Sequence, residues 1–151
     1  MAYVPKDARW YLADLVLELT VEGDPRNLVH VNIRLIEADS PERAYEKAIA
    51  LGRDCEQVYT NTAGREVRVT FRGLRELNVI HDELKDGAEL TFEESTAAPE
   101  AQLAAWLRPR GMLAVFRERG LKQDVPNYMP ESVMRSLEDA GCSREDIEGS
   151  P

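Results

Sequence analysis

The chain has 151 residues and predicts an α+β fold: a mainly antiparallel sheet with one helix packed on one face. Residues 10–20 and 29–36 alternate apolar and polar side chains, as half-buried strands do. After residue 40 the apolar residues recur every three or four positions, as on one face of a helix. We therefore expect the order β-β-α-β-β-β, followed by a short C-terminal helical extension.

The first two strands are predicted to form a hairpin, because residues 22–27 are rich in turn formers. In the first strand the odd positions 11–19 are apolar and form the buried face. In the second strand we predict that the odd positions also face the core and that the even positions form a polar face. The predicted inward residues of the second strand are Val29, Val31, Ile33 and Leu35, and the outward ones are His30, Asn32, Arg34 and Ile36.

The predicted helix begins after Ser40, whose hydroxyl suits the N-cap, and Pro41 suits the first helical position. Its apolar stripe includes Ala44 and Ala48, and such small side chains favour close approach to the sheet. Gly52 marks either the end of this helix or a weak point within it.

The strands after the helix begin beyond a turn at residues 61–64. In the strand from residue 66, the odd positions are predicted to face the core, while Arg68 and Arg72 face outward. Gly73 is predicted to bend or bulge this strand. A last strand is predicted around Leu90 and Phe92, after the turn at residues 86–87.

The composition changes after residue 96, which predicts a sheet domain over residues 1–96 and a helical extension over residues 97–151. Helices are expected at residues 100–107, 112–116 and 131–140, and Gly141 ends the last of them. Four apolar residues of the extension are candidates for partner binding: Trp106, Leu107, Met112 and Phe116. They are expected to pack on the core, on a second copy or on another protein, and we favour the core.

A net charge of −9 argues against general nucleic-acid binding, although residues 108–122 are locally basic. No apolar run is long enough for a membrane span, and the first residues lack the hydrophobic centre of a signal peptide. Two cysteines are too few for a disulfide framework, so we expect a cytoplasmic protein.

No pattern in the chain predicts catalysis, a metal or a cofactor. The two histidines and two cysteines lack metal-ligand spacing, and there is no glycine-rich phosphate loop. The one candidate for ligand binding is the predicted polar sheet face, where arginines could bind an anion. Its residues are His30, Asn32, Arg34, Arg68 and Arg72. We favour the alternative of a solvated face with cross-strand ion pairs, since nearby acidic residues would neutralise the arginines.

Four sequence motifs resemble those of a bacterial family of uncharacterised domains, the domain-of-unknown-function family 4288. The motifs are Trp10-Tyr11-x-Ala13, Leu35-Ile36-x-Ala38-Asp39-Ser40, Tyr59-x-Asn61-x-x-Gly64 and Asp86-Gly87-x-Glu89. The resemblance covers Trp10 to about Glu93 and leaves the C-terminal extension outside. It implies a small α+β domain without an assigned activity, so it transfers no catalytic residues.

These observations favour a non-catalytic protein-interaction or regulatory module that binds a protein partner or associates with itself. The role of an immunity or accessory protein is one such possibility by analogy, because this chain is acidic and small. The alternative is a small enzyme or anionic-ligand-binding domain that uses the polar sheet face. A third hypothesis has the basic segment 108–122 contacting nucleic acid.

Overall fold

A computed structural model describes residues 3–117 and 124–144 of the chain. One sheet holds four strands: β1 (Trp10–Val21), β2 (Asn27–Glu37), β3 (Gln57–Thr60) and β4 (Glu66–Val79). Neighbouring strands are antiparallel and lie in the order β2-β1-β4-β3. Helix α1 (Pro41–Asp54) connects β2 to β3. The predicted α+β class, with an antiparallel sheet and a covering helix, is confirmed.

Helix α1 begins where the sequence predicts. The Ser40 hydroxyl oxygen accepts a hydrogen bond from the backbone N–H of Arg43 at 3.2 Å, and Pro41 occupies the first turn. Ala44 and Ala48 are fully buried against the sheet, in a cluster that includes Tyr11 of β1. The small side chains of these alanines therefore allow the helix to pack close to the sheet.

Strand β4 contains two irregularities that change which arginines reach the face opposite α1, called here the open face. Gly73 has a φ of +129° and pairs with Val16, while the next β1 residue pairs with Phe71. Arg72 is thus an extra residue, and a second register shift makes Arg75 another. The predicted bulge at Gly73 is confirmed.

The predicted faces of β2 are wrong. The Cα register pairs Leu17 with His30 and Tyr11 with Ile36, and opposed residues of an antiparallel pair share a face. The even positions of β2 therefore face the covered side, and the apolar odd positions lie on the open face. Leu28 and Ile36, near the two ends of β2, pack with the core clusters. The even positions between them are polar: His30, Asn32 and Arg34.

Two predicted elements of the C-terminal half are also wrong. Residues 89–95 form no strand, and both Leu90 and Phe92 are exposed. Instead of a helix over residues 112–116 there is one 3₁₀ turn, Arg110–Met112. Pro109 precedes this turn and Gly111 lies within it, and both residue types disfavour a longer helix. Helices α2 (Glu100–Trp106) and α3 (Glu131–Asp139) lie where helices are expected.

The C-terminal segment, residues 124–144, packs against the sheet. Tyr128 packs beside the cluster of Leu17, Leu19 and Val69, and Met134 of α3 is fully buried. The division into a sheet domain 1–96 and an extension 97–151 stays a prediction, and this segment contributes to the core of the first part.

The β1–β2 turn carries a carboxylate whose titration should affect stability. The side chain of Arg26 donates to both carboxylate oxygens of Asp24, at 3.1 and 2.9 Å, and its backbone N–H donates at 3.0 Å. These bonds lower the pKa of Asp24 from 3.8 to about 2. The unfolded chain therefore binds this proton more readily, so the stabilisation is present above pH 3.8 and is lost as the pH falls through about 2.

We expect Asp24→Asn to be less stable than the wild type at neutral pH, because the variant loses the carboxylate that Arg26 binds. The difference should shrink as the pH falls toward 2. Urea unfolding of both proteins across this pH range measures it. A difference that stayed constant with pH would contradict the prediction.

Candidate interaction surfaces

The five residues predicted to bind an anion do not share a face. His30, Asn32 and Arg34 lie on the helix-covered side, where the His30 ring meets the Tyr128 ring edge-on at 5.4 Å. The Arg34 guanidinium donates to the Cys55 sulfur at 3.8 Å, at the end of α1. Arg68 and Arg72 belong to the open face, so the predicted common polar face is wrong.

The arginines of β4 lie in ion pairs with neighbouring carboxylates. Arg72 is 3.9 Å from a Glu18 oxygen, and Arg68 is 3.1 Å from a Glu66 oxygen. Arg75 donates twice to one oxygen of Asp14, at 3.0 and 2.7 Å. Exposed pairs of this kind contribute at most about 1 kcal/mol each. This agrees with the alternative of a solvated face with cross-strand ion pairs.

A cleft of about 540 Å³ lies between the N-terminal segment and the start of α1. Side chains of both signs line it, and two of its cations bind Glu37, which also lines it. Arg9 pairs with the Glu37 carboxylate at 2.5 Å, and the Lys47 ammonium donates to the Glu37 carbonyl at 2.6 Å. The cleft therefore presents no single-sign surface to a ligand.

Within residues 3–117 and 124–144, no three His, Cys, Asp or Glu side chains are grouped so that they could hold a metal ion. Cys55 and Cys142 are free thiols. Over the same ranges, none of the helices is sufficiently long and apolar to cross a membrane.

The open face carries an apolar row along β2, called here the edge stripe: Val29, Val31, Ile33 and Leu35. Val29, Ile33 and Leu35 are 50%, 60% and 48% exposed. The apolar character of these side chains predicts that they lie in the core, but the register places them on the open face.

A second apolar surface, the tail surface, lies outside the sheet. It consists of Leu103, Trp106, Leu107, Met112, Leu113, Val115 and Phe116, which are 40–84% exposed. The favoured expectation that this segment packs on the core is wrong. Arg110 stacks over the Phe116 ring at 3.8 Å, so the surface combines apolar and cationic groups.

A contact that the sequence does not predict holds the C-terminal segment, residues 124–144, against the β3–β4 turn. Three successive backbone carbonyls, those of residues 127–129, accept hydrogen bonds from side chains or backbone of this turn and of the adjoining strand β3. The donors are the Asn61 amide at 2.9 Å, the Tyr59 hydroxyl at 2.5 Å and the Thr62 N–H at 3.1 Å. Burial raises the pKa of Tyr59, which keeps its hydroxyl protonated as a donor.

Asn61 is central to this contact, since it is only 1% exposed. Its side-chain oxygen accepts from the N–H groups of Ala63 and Arg65, both at 2.9 Å, which fixes the turn. The turn residues at 61–64 were visible in the sequence. Their partners lie more than 60 positions away, and no local pattern identifies them.

The fold and the surfaces define a small α+β protein whose sheet is covered by one helix. The strand at the free edge of its sheet carries exposed apolar side chains, and so does the segment of residues 103–116. A family model described as "Domain of unknown function (DUF4288)" matches residues 10–92, more than half of the chain. The chain therefore belongs to this family, which confirms the resemblance. The tail surface and the C-terminal segment that contacts the β3–β4 turn, residues 124–144, lie outside the matched range. No curated protein and no solved structure matches the chain.

Proposed function

We propose that this protein is a non-catalytic interaction module whose tail surface binds another protein. The observation that carries the proposal is the exposure of seven large apolar side chains within residues 103–116. Large exposed apolar patches on proteins mark binding surfaces, and these seven exposed side chains all lie within 14 residues of the chain. Trp106 is of the residue type most enriched at the energetic centres of protein interfaces.

Charge indicates the chemistry of the partner. Residues 101–117 contain three arginines and no acidic residue, within a chain of net charge −9. A partner that offers an apolar surface with an acidic rim would match this segment in both respects. Such a rim would also pair with Arg108, which lies among the apolar residues in the sequence, and with Arg117, which follows them.

A protein partner is favoured over nucleic acid because apolar side chains dominate the tail surface. Nucleic-acid binding depends on many phosphate contacts, and the acidic remainder of the chain would repel a polyanion. The anionic-ligand alternative loses its support, since its five residues occupy two faces of the sheet.

The test places a photo-crosslinking amino acid at Leu107 and, as the control, at Tyr45, an exposed residue of α1. In cells of the native host, we expect an adduct of one defined mass at position 107 and none at position 45. The captured protein is then purified and its Kd measured. Leu107→Glu should raise that Kd at least about tenfold, while Tyr45→Glu should leave it unchanged.

Three results would count against the proposal. Position 107 could give no adduct while the protein is well expressed, or it could capture nucleic acid. The purified pair could also bind equally well with and without Leu107→Glu.

A further inference from the structure

Within the described part of the chain, strand β2 is an edge strand with one side unpaired, and its free backbone groups can be assigned. The Ala38 N–H donates to the Arg9 carbonyl at 2.9 Å, which makes these two residues a hydrogen-bonded pair at the end of the β1–β2 ladder. Hydrogen-bonded and non-hydrogen-bonded pairs alternate in an antiparallel ladder. The even positions of β2 therefore direct their N–H and C=O groups to β1, and the odd positions direct theirs to the free edge.

This edge lacks several of the features that usually prevent edge-to-edge pairing, and Arg34, the one arginine of β2, lies on the helix-covered side. Proteins commonly protect edge strands with proline, lysine, bulges or short length. Strand β2 has eleven residues, contains neither proline nor lysine, and pairs with β1 without a register shift. The odd positions that present free backbone groups are also those of the edge stripe.

We propose that two copies of the chain associate by antiparallel pairing of β2 with β2, about a two-fold axis at Asn32. The two sheets then form one continuous sheet, joined by about eight backbone hydrogen bonds from the odd positions of the edge stripe. The inference goes beyond the interaction role proposed above, because it names a second copy as the partner and uses a surface other than the tail surface.

The pattern of β2 is self-complementary about this axis. Val29 lies opposite Leu35 of the second copy, and Val31 lies opposite Ile33, so the edge stripe packs against itself on the open face. Asn27 lies opposite Glu37, and no acidic residue faces another. Moving the axis one residue toward the C-terminus would place Val29 opposite Glu37, which is a poorer match.

The other edge of the sheet explains why pairing would stop at two copies. Strand β3 has only four residues, and the next residue, Asn61, forms a bridge with Pro130. The docked C-terminal segment thus occupies that end of the sheet. With one long free edge per copy, the contact is isologous and closes as a dimer.

The first experiment tests the register by disulfide crosslinking, in a background with Cys55 and Cys142 replaced by serine. Asn32→Cys places two thiols opposite each other across the axis, about 4.5 Å apart at Cα in a non-hydrogen-bonded pair. We expect a covalent dimer under mild oxidation. The control, Arg34→Cys, separates the thiols by four residues, about 13 Å along the strand, and should stay uncrosslinked.

The second experiment measures the mass in solution by sedimentation equilibrium. The wild type should be a dimer, and Ile33→Lys should raise the dimer Kd by about a hundredfold, since each dimer carries two such changes. Adding Val31→Glu should restore the dimer, because the carboxylate introduced at position 31 would then face the ammonium introduced at position 33 of the second copy. Tyr45→Lys should dimerise like the wild type, and circular dichroism confirms that each variant is folded.

A monomeric wild type, a dimer unaffected by Ile33→Lys, or failure of Asn32→Cys to crosslink would overturn the pairing. The two proposals can fail separately. A monomer that still captures its partner through position 107 contradicts only the β2 dimer. A dimer whose position 107 captures nothing contradicts only the tail.

Discussion

Replacing Gly52 with alanine is expected to lower the free energy of unfolding by about 2 kcal/mol, although alanine is the better helix former. A Cβ atom on Gly52 would lie 2.3–2.5 Å from three carbons of the Phe71 ring. That is far inside van der Waals contact, so helix α1 or the ring would have to move. Urea unfolding monitored by circular dichroism measures the change.

Two controls separate the clash from other effects of alanine. At Gly111 a Cβ would meet no atom within 4 Å, so Gly111→Ala should be nearly neutral. In a Phe71→Ala background the obstructing ring is absent. Gly52→Ala should then be neutral or stabilising by up to about 1 kcal/mol, the difference in helix propensity. An equal cost in both backgrounds would show that the ring is not its cause.

Gly52 also shows what the sequence could and could not indicate. Its low helix propensity was visible, and it suggested either the end of the helix or a weak point within it. The structure shows a glycine within α1, two residues before its end, buried where the helix meets β4. Local signals were right at the Ser40 cap and at the Gly73 bulge, where the cause is local.

The faces of β2 could not be derived in the same way. Because the side chains of a strand alternate, a shift of one residue in the register exchanges the two faces. The geometry of the hairpin turn sets that register, and the composition of the strand does not. The odd positions are the more apolar set, which predicted burial, yet the pairing of Leu17 with His30 places them on the open face.

The candidate surfaces were partly predictable. Trp106, Leu107, Met112 and Phe116 were identified from the sequence as partner-binding candidates, and the structure leaves all four exposed. Their exposure itself was not predicted, because the sequence cannot show that the core is already covered by α1 and Tyr128. The role of Asn61 was missed because its hydrogen-bond partner across the fold, the Asn127 carbonyl, is 66 positions distant.

Asn61→Ala is expected to lower the free energy of unfolding by about 3 kcal/mol. The change leaves the N–H groups of Ala63 and Arg65 and the carbonyl of Asn127 without their partner, at a site that is almost fully buried. Each buried polar group left unsatisfied costs about 1–3 kcal/mol, and partial access of water reduces the sum. Chemical denaturation of the variant and the wild type gives the difference.

The matched control is Asn127→Ala, at the other end of the same contact. Asn61 binds the backbone carbonyl of Asn127, which alanine retains. Removing the exposed Asn127 side chain loses two exposed hydrogen bonds, one donated to the Thr62 hydroxyl at 2.9 Å and one accepted from the Met129 N–H at 3.2 Å. This variant should therefore lose about 1 kcal/mol or less. In Asn61→Ala, hydrogen exchange at Thr62 and Met134 should accelerate, whereas exchange at Leu15 should change only with global stability. Equal losses in the two variants would show that the buried amide does not hold the C-terminal segment on the sheet.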